Sequence, residues 1–318
     1  MPDEEILKRE WKEKSTELLL GIHEEMRNIV DGFNKSLDTS SKIDEDAFVQ
    51  YAVEWLKVIE GIAVLFKEGL VDVAQVLTRS LFEITLQLCY LISDEQEIEN
   101  KAACYYVASN MQAYWLNKKR CANMKQLNFD SNEGEKKNEK IINSLKNSNI
   151  SSINKGYKYI AHEKLINADW NNISWYELYD MIHAKDIKVP RNRKIKISNR
   201  QFCKRLEFYD DKDNKVLIYD IIYAELSRQA HGFSAIDQMK YFEGVQYFRR
   251  SDCLQNGLWQ IKMINEMFKK IVVKIPNIYK SFKLDKNNDK DRELASRFLA
   301  RKNLLDDLKI KLDMLYKS

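Results

Sequence analysis

Apolar residues recur at helical spacing along most of this chain, and one stretch organises the rest: residues 73–92, VAQVLTRSLFEITLQLCYLI. On a helix, Val73, Leu77, Leu81, Ile84, Leu88 and Leu91 form one apolar stripe. Phe82, Leu86 and Tyr90 make the opposite side apolar too, so this helix is expected to be buried nearly all round. Only Arg79 and Glu83 carry charge within it, four residues apart and stacked on one face. A buried charge is costly unless it is paired and hydrogen-bonded, so the two are expected to be each other's partners inside the core.

The flanking pattern predicts further helices. Residues 4–36 place Trp11, Leu18, Leu19, Ile22, Met26 and Phe33 near helical spacing. Polar turn formers follow, and a second helix is expected at about 45–67, ended by Gly69. Ser93 to Gln96 reads as a capping box opening a helix over about 94–124. Residues 129–156 are rich in Asn, Lys, Ser and Glu, which predicts a mobile loop or insertion with a short helix at 140–145. Residues 157–186 predict a short aromatic-rich helix carrying Trp175, Tyr176, Leu178, Tyr179 and Ile182. KIKIS, at 194–198, alternates like a short exposed strand. Residues 215–231 predict a helix capped by Gly232, and 235–274 another, with a break near Gly244. Pro276 stops it, and a terminal amphipathic helix is expected over 291–316. The expected fold is all-α: a multi-helix bundle with long antiparallel helices and a polar insertion. An N-terminal helix would occupy 1–44 and a core domain 45–250, with 128–156 as its flexible insertion. C-terminal helices at 251–318 would pack on that core.

Composition sharpens this picture in a few places. The chain has 318 residues but only three prolines and nine glycines, which suits long helices and argues against a sandwich or barrel. The formal charge of +4 is small and excludes no partner. Five cysteines show no C-x-x-C and no Cys/His metal spacing, so reduced thiols are expected, with no metal and no cofactor. The charged opening MPDEEILKREWKEK does not read as a signal peptide. Residues 73–92 are long enough to span a membrane, but Arg79 and Glu83 sit near their middle, where charge is expensive. A cytoplasmic protein without membrane contact is therefore expected.

Charge is one-sided from Ile187 to Leu206, where Lys188, Arg191, Arg193, Lys194, Lys196, Arg200, Lys204 and Arg205 occur with no acidic residue. Clustered Arg and Lys release counterions from nucleic acid, so Arg191, Arg193, Lys194, Lys196 and Arg200 are candidate RNA contacts. The plainer reading is a solvated basic loop balanced by Asp210, Asp211 and Asp213. A second polar line stands on the 215–231 helix, where Tyr223, Ser227 and His231 are four apart on one face. Two buried helices with polar lines pack most cheaply with those lines together, which would bring Arg79 and His231 to one cavity.

R-S-L-F-E at 79–83 and Y-x-x-L-S-x-x-x-H-G at 223–232, in this order, resemble a widespread bacterial all-helical family of unknown function over roughly residues 45–250. That resemblance implies a helical bundle with Arg79, Glu83, Tyr223, Ser227 and His231 near one another. It carries a vaguer similarity to HEPN bundles, many of them RNA-cutting toxins or phage-defence effectors. HEPN ribonucleases space their Arg and His by four to six residues, whereas Arg228 and His231 have two between them. A ribonuclease site here would have to join Arg79 to His231 across helices. Three functions remain open: a stress or defence effector acting on RNA without a metal, a non-catalytic interaction or sensor protein, and a module binding a small anionic ligand. The expected partners are RNA or another anion, with a homodimer as a further alternative. In the first, His231 is the general acid or base, supported by Glu83, Ser227 and Tyr223, and Arg79 stabilises developing charge. In the second, the same residues form a structural polar network.

Overall fold

The computed structural model describes residues 2–36, 43–127, 130–147, 174–183, 198–207, 209–211, 216–217, 239–242, 245–248, 254–275, 303, 306–308 and 310. The fold is an all-α multi-helix bundle. Its helices are α1 (Pro2–Ser36), α2 (Ile43–Lys67), α3 (Val71–Leu91), α4 (Ile98–Gln126), α5 (Asn132–Asn147), α6 (Trp175–His183), α7 (Asn199–Arg205) and α8 (Leu254–Lys274). Two short antiparallel ribbons accompany them: β1 (Tyr209–Asp211) with β2 (Val216–Leu217), and β3 (Met239–Phe242) with β4 (Val245–Phe248). The chain divides into two compact units, one formed by Met1–Ser41, Phe48–Ser93 and Asn199–Ser318, the other by Lys42–Ala47 and Asp94–Ser198.

The first unit is built around α3. Helices α1 and α2 are antiparallel, since Trp11 stacks on Phe66 at one end and Phe33 meets Phe48 at the other, with ring centroids 6.0 and 4.7 Å apart. Gly69 supplies the positive φ of 77° that turns the chain from α2 into α3, a conformation cheap only for glycine. Helix α3 then runs back along α2, with the Tyr51 hydroxyl donating to Gln87 Oε1 at 2.8 Å. Helix α8 lies beside α3 in the same direction. Gly257 faces Val71 at one end, and at the other Cys89 feels the charges of Lys274 and Lys270. A Cβ on Gly257 would sit 2.4 Å from Trp11 Cη2 and 3.1 Å from Val71 Cγ1, so backbone approaches ring there. Trp11, Trp55, Phe66, Phe82 and Phe268 are fully buried and form the bulk of this core.

The second unit packs α5 and α6 on α4. Trp175 meets Tyr105 edge-on at 6.4 Å, and the Tyr179 hydroxyl donates to Glu97 Oε2 at 3.0 Å. Ser174 and Glu177 form the box that opens α6: the Ser174 backbone N–H and hydroxyl both donate to Glu177 Oε2. The aromatic-rich helix expected in this part of the chain is therefore present.

Several expectations change. Val73 and Val76 are 54% and 41% exposed, so α3 is not buried all round. Leu81, Leu88 and Leu91 of the expected stripe and Phe82, Leu86 and Tyr90 opposite it are buried, and Val71, Ala74, Gln75, Thr78, Thr85 and Cys89 are buried with them. Ser93 does not cap α4; its hydroxyl donates back to the Tyr90 carbonyl, and Asp94 accepts from the Gln96 backbone N–H. The short helix expected at 140–145 is present but longer, over Asn132–Asn147, so this part of the polar stretch is not a loop; its Glu and Lys favour helix and Glu133–Lys137 pair one turn apart at 2.9 Å. Val216–Leu217, expected as the start of a helix, is strand β2, with Leu217 paired to Tyr209 and Val216 to Asp211 across a shift in register. The long helix expected from 235 is a hairpin, Met239 pairing Phe248 and Phe242 pairing Val245, with a separate helix from Leu254. MKYF and VQYF are rich in strand-favouring aromatics, and only Glu243-Gly244 separates them. Of the expected C-terminal helix, Asn303, Asp306–Leu308 and Ile310 are helical, Leu308 is buried and Asp307 pairs with Lys14. KIKIS, save Ser198, lies outside the described residues.

Candidate functional site

Helix α3 carries two polar lines, and they differ in kind. The inner one is sealed. Trp55 Nε1–H of α2 donates to Thr85 Oγ1 at 2.9 Å, and the Thr85 hydroxyl donates to the Leu81 carbonyl at 2.7 Å. About two turns earlier, the Thr78 hydroxyl lies 3.0 Å from the Ala74 carbonyl and 2.9 Å from Gln260 Oε1 of α8. Gln260 Nε2 donates in turn to the Val71 carbonyl at 3.0 Å. Gln75 is buried on the same face, and its Oε1 has no partner among the described residues. These contacts lock α2, α3 and α8 together, which is a structural task.

The outer line is Arg79–Glu83. Arg79 Nε donates to Glu83 Oε1 at 3.3 Å, the long end of hydrogen-bond range. The two side chains are 20% and 35% exposed, so the pair stands at the rim and is not enclosed in the core as expected. The same Glu83 Oε1 lies 3.4 Å from Asn199 Nδ2, the first residue of α7. Phe202 of α7 meets Tyr90 edge-on at 4.9 Å, and Phe202 and Cys203 are buried. The opposite side of α7 exposes Arg200, Lys204 and Arg205. Glu83 thus joins the R-S-L-F-E motif to the end of the basic stretch, a link the sequence patterns did not show. Because the pair is partly solvated, Arg79→Ala should cost about 1 kcal/mol, not the 3–5 kcal/mol of a buried pair broken on one side. A urea titration that returned the larger figure would place Glu83 in a dry environment.

Arg191, Arg193, Lys194, Lys196, Tyr223, Ser227 and His231 lie outside the described residues, and with them the expected meeting of Arg79 and His231. Among the described residues no group of His, Cys, Asp and Glu could hold a metal ion. Cys89, Cys104, Cys121 and Cys203 are buried and form no disulfide, and burial pushes the Cys89 thiol up to about 12, which makes it a poor nucleophile. No described helix is long and apolar enough to cross a membrane.

Geometry thus defines a helical bundle with a sealed register lock on one side of its central helix and a half-open Arg–Glu pair on the other. Residues 45–244 match the model of a family of unknown function, DUF5677, and the chain belongs to that family. The match contains the Arg79–Glu83 pair, α7 and the 223–232 motif. No curated protein and no solved structure matches the chain.

Proposed function

We propose that this protein is an effector acting on RNA, holding phosphates on the basic stretch 188–205 and on Arg79 and using His231 for acid–base chemistry. The observation that carries the reading is the shared Glu83 oxygen, which holds the start of α7 beside an arginine that keeps partial access to water. A charged segment anchored at one end presents its cations at lower entropic cost than a free tail. The reaction that suits these groups needs no metal. The 2′-oxygen bonds to phosphorus as the 5′-oxygen leaves; His231 accepts the 2′-hydroxyl proton, and a proton is returned to the leaving oxygen. Arg79 offsets the charge that develops on the phosphate between. A second reading, a non-catalytic RNA-binding module, is favoured by Glu83 being already engaged by both Arg79 and Asn199.

One set of proteins separates these readings. Wild type should bind mixed-sequence RNA and, when expressed, slow growth and fragment total RNA. His231→Ala should keep the binding and stop the fragmentation. Reversing Arg191, Arg193, Lys194 and Arg200 to Glu should lower the slope of log affinity against log salt by roughly three and leave the melting temperature unchanged. Full cleavage by His231→Ala removes the histidine from catalysis. Wild type that binds but never cuts leaves the binding module, and wild type that does not bind overturns both.

A further inference from the structure

The second unit carries a basic and aromatic face that the site above does not use. No Asp or Glu occurs between Glu99 and Asp130, while Lys118, Lys119, Arg120 and Lys125 follow Tyr114-Trp115-Leu116 along the second half of α4. Beyond Met111 only Cys121 of this helix is buried; Leu116 is 69% exposed and the three consecutive cations are all exposed. Two acids of α5, Glu133 and Glu135, are already engaged. Glu135 pairs with Lys125 and Glu133 with Lys137, whose hydrogen bond and charge hold the Glu133 carboxyl below the usual carboxylate range, with a smaller contribution from Arg120. Lys118 and Lys119 have no ion-pair partner among the described residues. Lys118 Nζ sits 4.6 Å over the Trp115 ring, and Tyr114 meets that ring edge-on at 5.5 Å. The indole nitrogen is buried while the Trp115 side chain as a whole is half-buried, with the Lys118 ammonium over its ring. A helix's C-terminal half attracts cations by its dipole, which accounts for Lys125 in the last turn but not for three consecutive cations two turns earlier.

We infer that this half of α4 is a second contact for single-stranded RNA, in which a base stacks on Trp115 and flanking phosphates lie against Lys118, Lys119 and Arg120. The pairing of an aromatic platform with cations along one helix is what an unpaired strand offers to both: a π-face and a phosphate at each nucleotide. Lys118 leaves the ring for a phosphate when the base takes its place. The inference rests on the RNA reading above and adds a contact within the other unit.

The test uses the full chain and a short labelled single-stranded RNA followed by fluorescence anisotropy. Lys118→Glu with Lys119→Glu and Arg120→Glu should bind at least tenfold more weakly, with a salt slope shallower by about two. These positions are exposed, so far-UV circular dichroism and melting should match wild type. Trp115→Leu should weaken the RNA by about fivefold or more while leaving the affinity for inorganic polyphosphate, which has no bases, unchanged. Unchanged affinity and slope in the triple variant, in a protein that binds RNA when wild type, overturn the α4 contact alone. Equal losses for RNA and polyphosphate in Trp115→Leu overturn the stacking role. No binding by wild type brings down the RNA reading and this inference with it.

Discussion

Gly257→Val should destabilise the first unit by about 3 kcal/mol and Gly257→Ala by roughly 1–2 kcal/mol, both read from urea denaturation. The new Cβ would lie 2.4 Å from Trp11 Cη2, closer than any ordinary contact. Trp11 cannot simply withdraw, because it is fully buried and stacked on Phe66. Nor can the clash be relieved by sliding α8, since Gln260, three residues on, is bonded to both Thr78 and the Val71 carbonyl. Strain must therefore be spread over α1, α3 and α8, and a close-packed interior resists that. If Gly257→Ala came within 0.5 kcal/mol of wild type, α8 would not approach Trp11 as described.

The second large effect is expected at Trp55, where truncation to alanine should cost about 3–5 kcal/mol. The ring is fully buried, lies 6.0 Å from Phe268 and donates its N–H to Thr85. Phenylalanine keeps most of the apolar volume and loses the hydrogen bond, so Trp55→Phe should cost only about 1–2 kcal/mol. Thr85→Val removes the acceptor but leaves the indole N–H buried, at a cost of about 1–3 kcal/mol. The double variant Trp55→Phe with Thr85→Val should be less destabilised than the sum of the singles, since no orphan donor remains. Strict additivity in the denaturation data would show that the bond contributes nothing beyond packing.

Helices α1, α2 and α3 were legible in the hydrophobic pattern because long, strongly periodic segments leave little choice of conformation. Most of the buried face of α3 was legible too, in Leu81, Leu88 and Leu91 on one side and Phe82, Leu86 and Tyr90 on the other, but the places of Thr78 and Thr85 within it were not. Each threonine hydroxyl lies within hydrogen-bond distance of the carbonyl four residues earlier and becomes nearly self-satisfied. Such a residue can face the core and still accept a proton from Trp55 or share one with Gln260. The Arg79–Glu83 pair was legible from its spacing alone. Its place at the rim was not, because exposure depends on which neighbours arrive from α2, α7 and α8. Asn199 could not have been singled out, since nothing local marks one asparagine as the partner of a glutamate more than a hundred residues earlier. The hairpin at 239–248 carried its own signal, two aromatic-rich tetrads around Glu-Gly, which a helical reading of the surrounding chain overrode.

The parallel pairing of α3 with α8 sets a timetable for the growing chain. Helices α1, α2 and α3 leave the ribosome early, but the groove that α8 will fill stays open until residues 254–274 emerge. At the usual 5–20 residues per second that wait is on the order of 10–30 seconds. Throughout it, the sides of Trp55 and Thr78 that Phe268 and Gln260 will cover face water or whatever else is near. The contiguous segment Asp94–Ser198 can meanwhile collapse on its own contacts. Synthesis slowed between the two helices would lengthen that exposure, and aggregation of the nascent chain would be its measurable cost.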